Sequence, residues 1–283
     1  MAITAQAVKE LRDKTGAGMM DCKKALTETG GDLDEAIKYL RTKGLAAAAK
    51  KAGRAANDGM VKIVGDDQKM AIVELNCETE PVSKLDEFRS FGDALADQVL
   101  ANGANSVDEL KAQPFAGDPE HTVEESISLK IAMIGENIVL NQCELVEAAA
   151  GNSLGSYVHM GGKIGVIVEG SGGVTQEALH DVALHVAASE PRFVSRDEVT
   201  EDLLETEKEI ALKQAVEQGK PEEIAKKIVN GKMEKFFVQE VLLEQPFAKD
   251  PSKSVGAYLK ESAGEDATIT RMVRYKLGES SND

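Results

Sequence analysis

Tryptophan is absent and aromatic residues make up only 4% of the 283-residue chain, so a hydrophobic core must be built from Ala, Val, Ile, Leu and nine Met. Such a core repacks easily, because thioethers fill irregular gaps. Cysteine is scarce as well. Cys22, Cys77 and Cys143 are an odd number, far apart and without CxxC spacing, which argues against a disulfide framework and a zinc site. No apolar run approaches the roughly 18 residues of a membrane helix, and Met1-Ala2-Ile3-Thr4 lacks the basic and apolar regions of a secretion signal. The expectation is a cytoplasmic protein with no membrane partner. The four histidines, His121, His159, His180 and His185, sit at no metal-ligand spacing, and lone histidines beside apolar neighbours read as structural. Walker and GxGxxG sequences are missing. Gly16-Ala17-Gly18 leads into a helix, but without the preceding strand of a nucleotide-binding loop. These gaps point to a binding protein with no cofactor, metal site or catalytic residues of its own.

Positive charge is the remaining deficit. The chain has 33 Lys+Arg against 49 Asp+Glu, a net charge of -16. Residues 1–60 hold 11 basic and 8 acidic side chains, so they carry +3 and the rest carries -19. An acidic body repels phosphate over a Debye length of about 8 Å, and a basic face interleaved with aromatics is lacking, so direct nucleic-acid binding is set aside. What is present, 42% hydrophobic and 29% charged residues, is the usage of an ordinary globular protein. Its length suggests about two domains.

The first fifty-odd residues read as three short helices. Ile3, Ala7, Val8 and Leu11 share one helical face that ends at Gly16-Ala17-Gly18; a second helix covers 20–26; Gly30-Gly31 breaks it. Asp32 and Glu35 have the form of a capping box before Leu33, Ala36, Ile37 and Leu40. This unit resembles the ubiquitin-associated (UBA) type of module. The Ala/Lys-rich stretch 45–56 reads as a linker helix. A period of two then predicts a hairpin over 60–75, a polar segment 77–82, and a helix through Phe88, Phe91, Leu95 and Val99 capped by Ser83 and Asp86. A loop at 102–120, a helix at 123–134 and a strand at 138–146 complete this part.

A similar order recurs with a hairpin over 155–168 and a helix through Leu179, Val182 and Val186. Ala188-Ser189-Glu190-Pro191 echoes Glu78-Thr79-Glu80-Pro81, and the expectation is a degenerate internal duplication. An acidic helical pair spans 197–233 with a break at Gly219-Lys220; 238–247 returns to the core and 269–277 is the last strand. The fold class is therefore α+β: residues 1–54 a helical domain, 55–146 one core subdomain, 147–196 with 234–283 a second, and 197–233 a protruding antiparallel coiled coil.

The run Val8-Lys9-Glu10-Leu11-Arg12-Asp13-Lys14-Thr15-Gly16-Ala17-Gly18-Met19-Met20-Asp21-Cys22-Lys23-Lys24-Ala25-Leu26 resembles the N-terminal signature of the elongation factor Ts family. Agreement continues through Asn76-Cys77, Ile134-Gly135-Glu136-Asn137, Gly155-Ser156-Tyr157, His185-Val186-Ala187-Ala188-Ser189, Gly219-Lys220-Pro221 and Gln245-Pro246-Phe247. The resemblance implies a guanine-nucleotide exchange factor that acts by protein contact on elongation factor Tu, and not an enzyme. It places a Thr-Asp-Phe-Val motif at the Mg2+ site of that GTPase; the matching residues here are Thr79, Glu80, Pro81 and Val82, so the carboxylate persists and the aromatic wedge does not. It implies partner contacts at Leu11, Arg12, Met19, Met20, Lys23, His159 and Met233, and a homodimer contact through the coiled coil in some members. The rival reading is a UBA-like adaptor without exchange activity. An enzyme with Cys77 as nucleophile is the third.

Overall fold

The computed structural model describes residues 3–218 and 221–279. Three helices come first: α1 (Ala5–Thr15), α2 (Met19–Glu28) and α3 (Leu33–Lys51). Thr4 Oγ1 accepts from the Ala7 amide at 3.2 Å, and Asp32 Oδ1 accepts from the Glu35 amide at 2.9 Å, so two of the starts are side-chain capped. The Glu35 side chain turns to Lys38 rather than back to the cap. Val8, Leu11, Cys22, Ala25, Leu26, Ala36 and Leu40 form the small core of this unit.

The first half of the body then runs β1 (Asp58–Gly65), β2 (Lys69–Cys77), α4 (Glu80–Ser83), α5 (Asp86–Asn102), α6 (Val107–Ala112), β3 (Pro114–Phe115), β4 (Asp118–Thr122), α7 (Val123–Ile134) and β5 (Ile138–Glu147). The second runs β6 (Ser153–His159), β7 (Ile164–Ser171), α8 (Gln176–Ser189), α9 (Glu201–Glu217), α10 (Glu222–Glu240), β8 (Pro246–Phe247), β9 (Asp250–Ser254), α11 (Val255–Ala263) and β10 (Thr268–Lys276). Each half has a three-stranded antiparallel sheet, ordered β1-β2-β5 and β10-β7-β6. Strand alternation decides the layering. On β2, Ala71, Val73, Leu75 and Cys77 face Phe88, Phe91 and Leu95 of α5, whereas Met70 and Ile72 face Ile167 and Val273 of the other sheet. The sheets thus pack on each other with helices outside both. Gly165 permits their closest approach, since a Cβ there would lie 2.5 Å from Val61 Cγ1.

The order of elements repeats between the two halves, but the clearest sequence parallel is a different one from the echo of 78–81 in 188–191. Residues 78–81 precede α5 of their half, whereas 188–191 span the end of α8, so that pair is not equivalent. The equivalent segments are Gln113-Pro114-Phe115-Ala116 and Gln245-Pro246-Phe247-Ala248, each opening a small hairpin. Each is bracketed by a buried polar residue of the sheet-covering helix. Gln98 Oε1 accepts from the Ala116 amide at 2.9 Å, and His185 Nδ1 accepts from the Ala248 amide at 3.0 Å.

Three further expectations are corrected. The linker helix 45–56 is not a separate element: α3 continues through Lys51 and packs on α7, with Gly44 against Leu129 and Ala132. The loop 102–120 contains α6 and the β3–β4 hairpin, elements too short to show a period. Ser83 and Asp86 do not cap α5, whose N-cap is Leu85; the Ser83 hydroxyl donates to the Glu80 carbonyl at 2.8 Å. Gly219 and Lys220, the expected break, lie outside the described residues. On either side of them α9 and α10 pack together over Ala211, Ala215, Ala225 and Met233. They stand where the first half has only α6. Arg196 holds their root, bonding Glu244 and, at 2.8 Å, Glu234, with its guanidinium 4.0 Å from the Phe237 ring centroid.

Candidate functional site

β2 ends at Cys77, and the next residues form a tip on the surface of the first half. Thr79 has extended backbone and starts the one-turn helix α4, with Pro81 in its first turn where no amide is needed. Val82 points inward and joins the core beneath α5, while Glu80 and Pro81 are exposed. The tip is tied to the turn after α7: Thr79 donates from Oγ1 and N to Glu136 at 2.6 and 3.0 Å, and Glu78 accepts from the Asn137 amide at 2.7 Å. Glu80 pairs with Lys84 at 2.9 Å, and this ammonium, with Lys163 adding to it, holds the Glu80 carboxyl below the usual range. It is ionised at neutral pH. Buried Cys77 donates to the Thr79 carbonyl at 3.3 Å, and desolvation pushes its thiol up to about 12. A thiol so held is a poor nucleophile.

The influence of Lys163 brings a second segment to the tip. The turn between β6 and β7 rests on β1, where the Gly162 carbonyl accepts from the Val61 amide at 2.7 Å. His159 opens this turn, half-buried, with its Nδ1 2.9 Å from the Tyr157 hydroxyl. Met160 follows at φ 50°, 67% exposed, an uncommon conformation for a residue with a side chain.

On the helical unit, Met19 and Met20 are 59% and 75% exposed at the start of α2, with Arg12 and Lys23 exposed nearby in sequence. Leu11 is fully buried in the helical core, so it shapes this surface from below. Gly16 joins the unit to the body: φ is 65° and a Cβ would lie 2.5 Å from Met133 Cε. Arg41 pairs with Glu125, and Lys51 donates to the Ile131 carbonyl at 3.3 Å. A cleft of about 610 Å3 lies between unit and body; on its wall Lys43 pairs with Asp21, and the His121 ring hydrogen-bonds Asp118 at 2.8 Å.

The family model described as Elongation factor TS matches residues 78–279. The Elongation factor Ts of Trichlorobacter lovleyi (strain ATCC BAA-1151 / DSM 17278 / SZ) is 46% identical over 292 aligned positions, covering 99% of this chain and 94% of that protein. The chain belongs to the elongation factor Ts family. Membership makes it a translation elongation factor, a component of protein biosynthesis.

The site residues expected from the resemblance fall in three places. Thr79, Glu80, Pro81 and Val82 form the tip; Leu11, Arg12, Met19, Met20 and Lys23 belong to the helical unit; Met233 is 6% exposed in the helical pair. His159 opens the turn between β6 and β7, where its carbonyl accepts from the Lys163 amide at 3.1 Å. Glu136, Met160 and Lys163 were not singled out in the sequence, although Glu136 lies in the Ile134-Gly135-Glu136-Asn137 segment and Met160 stands beside two glycines. His180 Nδ1 donates to the Ser156 carbonyl at 3.1 Å and His185 is enclosed, both in structural settings. Among the described residues no group of three His, Cys, Asp or Glu side chains is placed to hold a metal, and no helix is long and apolar enough to cross a membrane.

Proposed function

We propose that this chain binds elongation factor Tu in its GDP-bound and nucleotide-free forms, in the cytoplasm, and speeds GDP release by disturbing the Mg2+ and phosphate site so that GTP can rebind. The observation that carries the reading is the exposed Glu80-Pro81 tip, ionised and anchored on both sides. A carboxylate presented at a Mg2+ and phosphate site competes for the metal and repels the phosphates, and switch elements ordered by metal and phosphate loosen when either is displaced. No base is required. A protein that binds the empty partner better than the GDP-bound one weakens GDP by the same factor.

Met19, Met20, Arg12 and Lys23 supply the docking face of the helical unit, with Leu11 as its support. Adaptable thioethers beside cations suit a protein interface. His159 and Met233 mark further contacts of the second half. The pair α9–α10 forms the antiparallel coiled coil, and its exposed Ile210, Val216 and Ile224 suit a homodimer contact. Residues 1–54 act as a UBA-like module.

Stopped-flow release of a fluorescent GDP from elongation factor Tu tests the proposal. Acceleration is expected; an unchanged rate overturns it and leaves the adaptor reading. Because Pro81 replaces the aromatic wedge, exchange rests on Glu80 and the docking contacts. An acceleration of about tenfold or more by Pro81→Phe, some 1.4 kcal/mol of barrier, would contradict that division of labour.

A further inference from the structure

Thr79 occupies an N-cap, where a threonine hydroxyl ordinarily accepts from an amide of its own helix. It makes no such bond. Its hydroxyl and amide both donate to the Glu136 carboxylate, 57 residues away in sequence, at 2.6 and 3.0 Å. The turn that carries Glu136 is fixed in return. Glu78 accepts from the Asn137 amide at 2.7 Å, and the buried Asn137 side chain donates to the Arg54 carbonyl at 2.9 Å. Arg54 also pairs with Glu78 at 3.3 Å. One cluster therefore joins the end of β2, the turn before β5 and the chain leaving the helical unit. Hydrogen bonds to a carboxylate are about twice as strong as neutral ones, and two donors on one carboxylate fix direction as well as distance.

Building on the exchange function above, we propose that Glu136 is a positioning residue for exchange: it holds Thr79 so that Glu80 and Pro81 leave the surface in one direction. Val82 is anchored in the core, Ser83 bonds back to the Glu80 carbonyl and the Lys84 amide donates to the Pro81 carbonyl, so fixing Thr79 holds the tip at both ends. Pro81 has its φ set by its ring. The tip has no long apolar side chain to reach into the partner, and its effect depends on stiffness, which a second attachment supplies.

The test measures fluorescent GDP release from elongation factor Tu against concentration of the full chain, for the unmodified protein and for Glu136→Ala, Glu136→Gln, Thr79→Val and Glu136→Ala/Thr79→Val. The expected result is a maximal release rate lowered about tenfold in Glu136→Ala, with the half-saturating concentration changed less than about threefold, because transition-state positioning is lost while docking persists. Glu136→Gln keeps one acceptor and should fall between. Adding Thr79→Val to Glu136→Ala should cost almost nothing more, since both remove the same bond. A raised half-saturating concentration with an intact maximal rate, or additive losses in the double variant, overturns the proposal. So does a Glu136→Gln rate equal to that of the unmodified chain. Melting midpoints are read alongside; if Glu136→Ala melts more than about 5 °C lower, Glu136→Gln and Thr79→Val carry the decision. If the unmodified chain itself leaves release unchanged, the exchange function falls and this role falls with it. If it accelerates release and the variants match it, only the positioning role falls.

Discussion

The two halves of the body share sheet order, sheet-covering helix, small hairpin and closing helix, yet only the first carries an anchored tip and only the second carries a long helical pair. Where the first half places Thr79-Glu80-Pro81-Val82 between strand and helix, the second makes a Gly172-Gly173 turn before α8. Where the second half inserts α9 and α10, the first has the six residues of α6. Both departures occur in connections, leaving the two packed faces intact. A repeated fold can specialise in this way because connections lie outside the buried contacts that both copies need.

The shared brackets are the deepest part of the comparison and the easiest to break. Replacing Gln98 by Leu strands the Ala116 amide and the Pro114 carbonyl, and His185→Leu strands Gln245 Oε1 and the Ala248 amide. A buried unsatisfied group costs about 1–3 kcal/mol, and since most of these bonds are only part-buried each variant should lose about 2 kcal/mol in urea denaturation. Comparable losses support equivalence of the two halves; a neutral Gln98→Leu breaks it.

The halves should differ with pH. Burial holds the His185 pKa below its ordinary 6.5, so the unfolded chain takes up that proton first and stability falls as pH drops through and below 6.5. The slope contributed by this one group is at most about 1.4 kcal/mol per pH unit. Gln98 does not titrate. His185→Gln, which imports the first half's residue, should flatten this part of the stability profile; an unchanged slope would place its origin elsewhere.

Replacing 201–240 by the 107–112 segment should leave a folded body, with a smaller loss of stability than either bracket variant. Loss of the Arg196 contacts with Glu234 and Phe237, and of the Gln239 and Glu240 carbonyls that accept from Gln245, Arg192 and Phe193, is the main cost, and far-ultraviolet dichroism should fall by the helical pair alone. Failure to fold would show that the pair is part of the second core. The smallest structural effect belongs to the tip. Glu80→Ala removes an exposed carboxylate and should leave the melting midpoint unchanged while lowering the maximal rate of GDP release; Gly173→Ala, at the equivalent turn, should leave that rate unaffected.

The regular elements were legible because each one's buried face repeats within a few residues, as in Leu95 and Val99 of α5 or the alternation of β2. The loop 102–120 was not, since α6 has six residues and β3 two. The duplication was visible in element order, but its strongest trace lay in Gln-Pro-Phe-Ala, whose common role appears only when Gln98 and His185 are seen on equivalent helices. Leu11 shows the same limit at the site. Its helical face shared with Ala7 and Val8 points it inward while the resemblance makes it a partner contact, and packing of three helices puts it inside while leaving Met19 and Met20 out.

The sequence by itself determined the class: a core of small aliphatic residues, an asymmetric charge of +3 and -19, helical and strand periods in a repeated order, and a signature run that marks the family. Tertiary structure decided how Glu136 reaches Thr79 and how the turn at Gly162 lies against β1. Periodicity and propensity are local and can be read within a turn or a strand. A grip between residues 57 apart depends on the pairing of β2 with β5, which sets Cys77 opposite Ile138, and exists only once that sheet has formed.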